Sequence, residues 1–388
     1  MTRKYITLFI GLYIMCIINV SAMDTSQASV VMEHKTGRIL YANNANEKKL
    51  IASTTKIMTA ILTIENTNIK EKIKVGKEVL AMYGTNIYIE VGETITIEDL
   101  LYGLLLRSGN DAAIVLAYYV GGTEEKFVQM MNEKALELGM TNTHFNNSHG
   151  LDDYNENYST AYDMALLSVY ASKNKVYKKI SSTKKYSTQT DRKSYLWYNR
   201  NKLLNTYELC TGGKNGYTPK AGRTLVTTAK KDNIELTVVT LNDPDEYDTH
   251  IYLYNKIYSS YQLYKIIDKE TFKIPESLYQ GKYELKSSFI YPVSKDEISH
   301  ITTEIFILNK KIDRTIGYVN IKLNDKTIGI VDIYKDEQKK EDISIFKQIV
   351  NYVLDILKKL ILGRQKSLNP GPLVPIPLEI YTLVLSRL

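Results

Sequence analysis

The amino-acid sequence predicts a mixed α/β (α+β) domain, a small all-β domain after it, and an amphipathic helix near the C-terminus. Three patterns along the 388 residues indicate this order. In the first part of the chain, apolar residues at helical spacing lie between outer segments with strand character. From residue 275 onward the apolar residues alternate, and over residues 343–362 they return to helical spacing. We therefore expect a sheet covered by helices, followed by a second sheet.

The first 22 residues have the pattern of a secretory signal peptide. Arg3 and Lys4 precede an apolar run that extends to Val20, and Ser21 and Ala22 supply small residues for cleavage. The alternative is a retained membrane anchor, because the apolar run is close to the minimum length of a transmembrane helix. In both cases we expect the rest of the chain to be exported.

Charge and cysteine content exclude several classes of function. The formal net charge of +7 is spread along the chain, which argues against a nucleic-acid-binding surface. Cys16 lies in the predicted signal, so Cys210 is left as a single thiol that forms no internal disulfide. No histidine has a partner at a metal-ligand spacing. The sequence therefore predicts neither a metal site nor another cofactor.

A hairpin opens the first domain, and helices follow it. Residues 28–32 and 38–41 have strand character on either side of a polar turn. Helical periodicity predicts helices at 56–65, 100–106, 111–120, 125–138 and 161–172. The remaining segments of this domain are predicted as strands at 224–229 and 234–240 and as a closing helix at 252–267. We place the domain at residues 23–268.

The second domain is predicted at residues 275–336. Residues 317–323 and 327–331 alternate around Asn324-Asp-Lys326, which is typical of a β-hairpin. Residues 343–362 carry an apolar stripe with lysines beside it, which favours contact with a membrane surface over packing on the protein's own domain. The role of residues 363–388 is left open, because prolines interrupt their apolar run.

Three short strings supply the groups needed to attack a peptide carbonyl. They are Ser53-Thr-Thr-Lys56, Ser108-Gly-Asn110 and Lys214-Asn-Gly216. Ser53 and Lys56 are three residues apart at a helix start, so their side chains share one face. A neutral lysine can take the serine proton if burial and a nearby positive charge lower the lysine pKa. Lys214 is the candidate for that charge.

The other residues of the strings complete a predicted reaction centre. Ser108 would bridge the two lysines and pass a proton to the leaving amine, while Asn110 holds the substrate amide. The backbone N–H groups of Ser53 and Tyr217 would form an oxyanion hole. Each string alone also fits a structural role as a helix cap or as an Asn-Gly turn. Their order, spacing and flanking residues favour a single site.

The chain resembles the serine D-alanyl-D-alanine carboxypeptidases, also called low-molecular-mass penicillin-binding proteins. The resemblance extends over about residues 29–334. It is carried by the segments Ala52-Ser-Thr-Thr-Lys-Ile-Met-Thr-Ala60, Leu104-Leu-Leu-Arg-Ser-Gly-Asn-Asp-Ala-Ala113, Leu138-Gly-Met-Thr-Asn-Thr-His-Phe145, Ser148-His-Gly-Leu151, Tyr158-Ser-Thr-Ala161 and Gly213-Lys-Asn-Gly-Tyr-Thr218.

The resemblance implies a penicillin-binding/β-lactamase-like transpeptidase fold with an antiparallel sheet. It also implies removal of the terminal D-alanine from peptidoglycan stem peptides through an acyl-enzyme on Ser53, and acylation of that serine by β-lactams. The C-terminal helix would dock the enzyme on the outer face of the cytoplasmic membrane. The implied catalytic residues are Ser53, Lys56, Ser108, Asn110 and Lys214, and the implied substrate-binding residues are Asn215, Gly216, Tyr217 and Thr218.

Two departures and two alternatives accompany this resemblance. Asn215 stands where the family usually has a threonine that binds the substrate carboxylate. The family's arginine near the closing helix is also missing, which leaves His250 or Arg223. The first alternative is a class A-like β-lactamase, which would need a glutamate for deacylation, and Glu156 lies in a suitable loop. Against it, Gly109 stands where class A β-lactamases usually carry an aspartate. A non-catalytic protein that binds the cell wall is the second alternative.

Overall fold

The computed structural model describes residues 23–312, 314–336 and 352–355. The predicted signal peptide and residues 363–388 lie outside these ranges. So does the predicted helix at 343–362, apart from residues 352–355, which are helical. No helix in the described ranges has the length and apolar character that crossing a membrane requires.

The described chain forms two compact units. The first contains the residues up to Asp268, together with Phe289–Thr302 and Leu323–Lys326. The second contains Lys269–Ser288, Thr303–Lys322 and the described residues from Thr327 onward. The boundary at Asp268 therefore separates the larger part of the first unit from the second unit. Phe289–Thr302 and Leu323–Lys326 come later in the chain but belong to the first unit.

Antiparallel strands provide the framework of both units. In chain order they are β1 Ala28–Glu33, β2 Ile39–Asn43, β3 Lys49–Leu50, β4 Lys72–Lys74, β5 Thr94–Thr96, β6 Tyr158–Ser159, β7 Lys185–Gln189, β8 Ser194–Tyr198, β9 Cys210–Thr218, β10 Gly222–Lys231, β11 Ile234–Leu241, β12 Tyr261–Ile267, β13 Tyr283–Leu285, β14 Phe289–Ser294, β15 Ile301–Ile312, β16 Thr315–Leu323 and β17 Lys326–Lys335. The first unit contains a five-stranded sheet with the order β2-β1-β11-β10-β9. A second sheet has the order β13-β17-β16-β15.

Helices of the first unit pack against its five-stranded sheet and against one another. They are α1 Lys56–Asn66, α2 Ile97–Tyr102, α3 Asn110–Gly121, α4 Glu124–Glu137, α5 Ala161–Lys173, α6 Lys175–Ser182, α7 Leu203–Thr206 and α8 Glu246–Ser260. One apolar core joins Val30 and Val239 of the sheet to Ile61 of α1 and Met164 of α5. A second core lies against α8 and contains Leu236 and Leu253. The predicted α+β arrangement is therefore confirmed.

Several predicted elements occur close to their expected positions. The first hairpin pairs β1 with β2, and Gly37 in its turn has φ of +69°, a conformation that glycine adopts readily. Asn324 and Asp325 join β16 to β17 with φ of +48° and +62°, as a tight hairpin turn requires. The hydrophobic periodicity thus identified both hairpins and the long helices.

The prediction of a helix over 252–267 is wrong at both ends. Helix α8 begins at Glu246 and ends at Ser260. The next seven residues form β12, which pairs antiparallel with β14. The β12 segment ends in Ile266-Ile267, and β-branched side chains favour strands. Helix α6 and the β7–β8 hairpin were not predicted, because their segments are rich in polar residues and tyrosine.

Candidate active site

Ser53 lies in a 3₁₀ turn, Ala52–Thr55, directly before α1. Ala52 has φ of +46°, which is a strained backbone conformation for alanine and typical of functional turns. Thr55 occupies the N-cap position of α1, so the interpretation of Ser53 as a helix cap is wrong. The Ser53 hydroxyl instead lies 3.0 Å from the Lys56 Nζ.

The Lys56 side chain is completely buried. Its Nζ donates to Asn110 Oδ1 at 2.8 Å and to the backbone carbonyl of His149 at 2.5 Å. Burial, reinforced by the positive charges of Lys214 and Arg200, holds the pKa of the Lys56 amine well below its ordinary value. The condition that the sequence analysis set for a lysine base is therefore met in the structure.

The second string forms a tight corner between two helical segments. Ser108 is buried and has φ of +67°, while Gly109 occupies the N-cap position of α3. Asn110 donates from Nδ2 to the carbonyl of Tyr83 at 2.7 Å and accepts from Lys56. Its amide thus positions the lysine. Within the described residues, the Ser108 hydroxyl forms no hydrogen bond with Lys56 or Lys214.

The third string lies inside β9, so the interpretation of Asn215-Gly216 as a hairpin turn is wrong. Lys214 is 1% exposed and donates to the carbonyl of Asn215 at 2.6 Å. Burial and the nearby charge of Arg200 lower the pKa of Lys214 to about 7. This amine therefore loses its proton at a lower pH than an ordinary lysine does.

Strand β9 passes directly against the 3₁₀ turn Ala52–Thr55 at Gly216. A Cβ atom placed on Gly216 would lie 2.8 Å from the Ser53 nitrogen and 3.1 Å from the Ala52 Cβ. Only a glycine permits this close approach. The neighbouring Tyr217 is 64% exposed. The Thr218 hydroxyl donates to Asp152 and accepts from the Ala221 N–H, so its hydrogen bonds lie within the protein.

A loop that the sequence identifies only as a family signature packs against the 3₁₀ turn that contains Ser53. Asn147 Oδ1 accepts from the N–H groups of His149 and Gly150. Gly150 has φ of +86°, and a Cβ atom there would lie 1.9 Å from the Ala52 carbonyl oxygen. The loop therefore contributes through backbone atoms, which residue identity does not reveal.

Arg200 is a functional candidate that the sequence analysis missed. Its charge lowers the pKa of both Lys56 and Lys214, and its guanidinium donates to Thr85 Oγ1 at 3.2 Å. No spacing relative to the three strings identifies this residue in the sequence. The fold places its charge near both amines.

The structure also defines the positions of the residues considered in place of the missing arginine, His250 and Arg223, and of the glutamate considered for deacylation, Glu156. His250 is fully buried and hydrogen-bonds to Thr227 and Thr240, so it is not available to bind a substrate. Arg223 lies opposite Tyr217 in the β9–β10 register and pairs with Glu246 at 3.2 Å. Glu156 is half-exposed and pairs with Lys220 at 3.1 Å. This pairing does not favour a role for Glu156 in deacylation.

Comparison with known proteins gives consistent matches. The family model for D-alanyl-D-alanine carboxypeptidase, peptidase S11, matches residues 19–245. The chain is 32% identical over 286 residues to D-alanyl-D-alanine carboxypeptidase DacF of Bacillus subtilis (strain 168), covering 71% of this chain and 72% of that protein. It is 35% identical over 237 residues to D-alanyl-D-alanine carboxypeptidase DacC of Escherichia coli (strain K12), covering 56% of each.

A solved structure shows the same fold. The crystal structure of the D-alanyl-D-alanine carboxypeptidase DacD from Francisella tularensis superposes with a TM-score of 0.65 at 26% identity, and the match covers 80% of this chain and 92% of that chain.

Proposed function

Because the chain belongs to the D-alanyl-D-alanine carboxypeptidase family, we propose that Ser53 is the nucleophile of its reaction. The protein is a serine hydrolase that removes the terminal D-alanine from peptidoglycan stem peptides ending in D-alanyl-D-alanine. Inhibition by β-lactams is typical of this family. The roles of individual residues below are our proposal.

The partners of Lys56 carry this assignment. A neutral amine has two N–H groups and one lone pair. The carbonyl of His149 and Asn110 Oδ1 are both acceptors, so they use the two N–H groups. The lone pair is then left for the third partner, the Ser53 hydroxyl at 3.0 Å. This arrangement prepares Lys56 to accept the serine proton.

The reaction follows from that geometry. As Ser53 Oγ bonds to the carbonyl carbon of the penultimate D-alanine, its proton moves to Lys56. The ammonium then returns a proton to the leaving nitrogen, the C–N bond breaks, and free D-alanine departs. Water attacks the remaining ester by the reverse proton path and regenerates Ser53. Each step conserves atoms and protons and needs no cofactor.

We assign the charge-stabilising roles to the strand. The N–H groups of Ser53 and Tyr217 form the oxyanion hole, which the close approach at Gly216 supports. Lys214 in its charged form and the Asn215 amide bind the terminal carboxylate. Ser108 acts as a proton relay when substrate fills the site. Thr218 borders the substrate on the same strand, with its hydroxyl held by Asp152 and the Ala221 N–H.

Labelling and product analysis test the assignment together. A fluorescent penicillin should label the wild type and leave Ser53→Ala unlabelled. Mass spectrometry of a pentapeptide digest should show loss of one D-alanine with the wild type alone. As a matched control, Ser182→Ala removes the hydroxyl of another serine that has a lysine three residues later, at the end of helix α6. This variant should label normally. Labelling of Ser53→Ala would contradict the assignment.

We also propose that the enzyme acts outside the cytoplasmic membrane and docks on its outer face. The signal-peptide pattern and the peptidoglycan substrate support export. The exposed side chains of Tyr352, Val353 and Leu354 support the docking, because they belong to the apolar segment at 343–362. Val353→Glu should reduce co-sedimentation of the exported chain with anionic lipid vesicles, and equal sedimentation would contradict the proposal.

For domain organisation we propose a catalytic domain at 23–268 and a β-rich domain at 275–336. The division into compact units supports the first boundary. Limited proteolysis should cut first near residues 269–280, and early cleavage within β9–β11 would contradict this division.

A further inference from the structure

Two cavities of about 260 Å³ and 420 Å³ adjoin at the start of strand β12. Tyr258, Tyr261 and Gln262 line both of them, so the two cavities form one groove, which we call the β12 groove. All of its lining residues belong to the first unit. The volume of the larger cavity lies in the usual range of ligand pockets, about 300–1,000 Å³. The groove therefore has room for a ligand of moderate size.

The β12 groove is separate from the proposed active site. Strand β10 connects the two regions, because its Val226 pairs with Lys214 and its Lys231, five residues later, lines the groove. At about 3.3 Å per residue, this length of strand spans roughly 17 Å. A ligand in the groove therefore leaves the reaction centre around Ser53 free.

The charges that line the β12 groove balance each other. Lys231 and its neighbour Asp232 line the smaller cavity, and Lys295 and its neighbour Asp296 line the larger one. Each cavity is thus formally neutral, although the whole chain carries a net charge of +7. A lining that attracts neither sign selects against a strongly charged polymer and favours an uncharged ligand.

Several polar side chains of the groove have hydrogen-bonding capacity to spare. Asn233 and Gln262 are exposed, and within the described residues neither side-chain amide has a hydrogen-bond partner. The Tyr258 hydroxyl is buried, and the described part of the chain offers no acceptor for its proton, which is uncommon for a buried polar atom. Burial also raises the pKa of Tyr258, so the hydroxyl keeps that proton. The groove thus offers a ligand two amides and a hydroxyl donor in its wall.

Two tyrosine rings form the wall that both cavities share. Tyr258 and Tyr261 are each partly exposed. The Tyr261 ring is fixed by Arg38, whose guanidinium lies 5.5 Å from the ring centroid and also donates to Glu297 and to the carbonyl of Pro292. A ring held in this way loses little conformational entropy when a ligand packs on it. Aromatic rings suit the apolar C–H faces of sugar rings, whose hydroxyl and acetamido groups then reach the amide side chains.

We propose that the β12 groove binds an uncharged stretch of the N-acetylated glycan strand of peptidoglycan and so holds the enzyme on the cell wall. Such a strand has apolar ring faces for the tyrosines, neutral donors and acceptors for the amides, and no charge where stem peptides occupy its carboxyl groups. The inference goes beyond the proposed function. Only the choice of this strand among neutral sugar chains rests on that function.

A soluble, uncharged fragment with the same sugar chemistry tests the proposal. Tetra-N-acetylchitotetraose is titrated by calorimetry into the exported chain before and after treatment with penicillin, and the affinity should be the same in both. The wild type should bind it about fivefold more tightly than cellotetraose, which lacks the acetamido groups. Loss of one neutral hydrogen bond costs about fivefold, so the double variant Asn233→Ala/Gln262→Ala should bind about 25-fold more weakly. Equal affinities of the double variant and the wild type would overturn the assignment.

Two hydroxyl deletions supply a matched pair. Tyr258→Phe keeps the ring and removes the hydroxyl that lacks an acceptor, so the affinity should fall about fivefold. Tyr264→Phe makes the same exchange at an exposed tyrosine of β12 that lines neither cavity, and it should bind like the wild type. Equal affinities of these two variants would overturn the role given to the Tyr258 hydroxyl.

Co-sedimentation with glycan strands freed of their stem peptides separates this inference from the proposed function. The wild type should sediment with the strands, and the double variant should stay in solution although penicillin still labels it. Normal labelling and D-alanine release without binding of the strands would overturn the groove assignment alone. Equal affinities for the two tetrasaccharides would overturn the choice of an N-acetylated strand. Binding of the strands without labelling or D-alanine release would overturn the proposed function alone.

Discussion

The two walls of the proposed active site are held in different ways. The helical wall consists of residues 52–56 and 108–110, and the strand wall consists of residues 214–217 in β9. On the helical wall, Lys56 has three polar contacts to separate parts of the chain, and both Ala52 and Ser108 have positive φ. On the strand wall, Lys214 bonds to its own neighbour, Asn215.

This difference indicates which positions tolerate substitution. A backbone held in strained conformations by many contacts fixes the reacting atoms before substrate arrives. The strand wall keeps regular ladder geometry with β10 over most of its length. We therefore expect a changed side chain there to alter substrate binding without displacing Ser53. Asn215, which departs from the threonine that the resemblance implies, lies on the strand wall, whereas Ser53-Thr-Thr-Lys56 on the helical wall belongs to a segment that carries the resemblance.

Replacing Lys56 should have the largest effect. Lys56→Met keeps the length of the side chain and removes the proton acceptor, so acylation by penicillin should fall by about 10³-fold, within the usual range for general-base catalysis. Stopped-flow measurement of acylation gives the rate. Lys56→Arg should be equally slow, because a guanidinium keeps the positive charge and is not deprotonated. Rapid acylation by either variant would show that another group takes the proton.

Gly216→Ala tests whether the strand wall is rigid where it touches the helical wall. The added methyl group would lie 2.8 Å from the Ser53 nitrogen, so the strand or the turn must move. Because a displacement of about 1 Å can cost 10²-fold in rate, we expect acylation to slow by about that factor. Penicillin acylation kinetics and a thermal unfolding curve are measured together. A wild-type rate would mean that the walls adjust easily.

The sequence predicted side-chain chemistry better than backbone contributions. Ser53 and Lys56 come together as expected, because short spacing and a helix start fix their relative positions. Asn110 joins them from the second string, 54 residues further along the chain, through the packing of the fold. The carbonyl of His149 and the conformation of Gly150 depend on how a loop folds back on the turn, which spacing does not encode. Arg200 was missed for a related reason, since its effect on the lysine pKa values acts through space.

Element types were predictable where periodicity was clear and residues were apolar. Helices α1, α3 and α5 bury long apolar stripes, and their sequences show that spacing. The segment at β12 has aromatic and aliphatic residues that suit either a helix or a strand. Its state is decided by pairing with β14, a strand more than twenty residues later. Such pairing is a tertiary effect that overrides local propensity.

The pH dependence of the free energy of unfolding reports how strongly burial on the strand wall disfavours the charged form of Lys214. The pKa of Lys214 is about 7 in the folded chain and about 10.5 as an ordinary value. Between these pH values the unfolded chain binds one more proton, so the free energy of unfolding rises with pH by about 1.4 kcal/mol per pH unit from this group. Below pH 7 both states are protonated, and the contribution to stability is smallest.

Lys214→Met should remove that part of the slope. Urea unfolding of both proteins at pH 7, 8 and 9 compares the slopes, and Lys220→Met serves as the control at a half-exposed lysine. Lys56 contributes in the same direction, because its pKa is also lowered, so some slope should remain. Equal slopes in the wild type and Lys214→Met would show that Lys214 keeps its proton throughout this range.

Asn215→Thr should have the smallest effect. It tests most directly whether the strand wall tolerates a changed side chain. We expect a threonine hydroxyl to hold the substrate carboxylate more tightly than the Asn215 amide does, because the family resemblance implies a threonine for this role. One neutral hydrogen bond is worth about 1 kcal/mol, so we expect kcat/KM for D-alanine release to rise by about fivefold, mainly through KM. Asn233→Thr makes the same exchange in the exposed β10–β11 turn and should change neither constant. A change in kcat of the acylation step would mean that Asn215 also positions the nucleophile. In that case the strand wall would be as constrained as the helical wall. The terminal carboxylate of the substrate would then have to be bound by another residue, and Arg223 would be the next residue to replace.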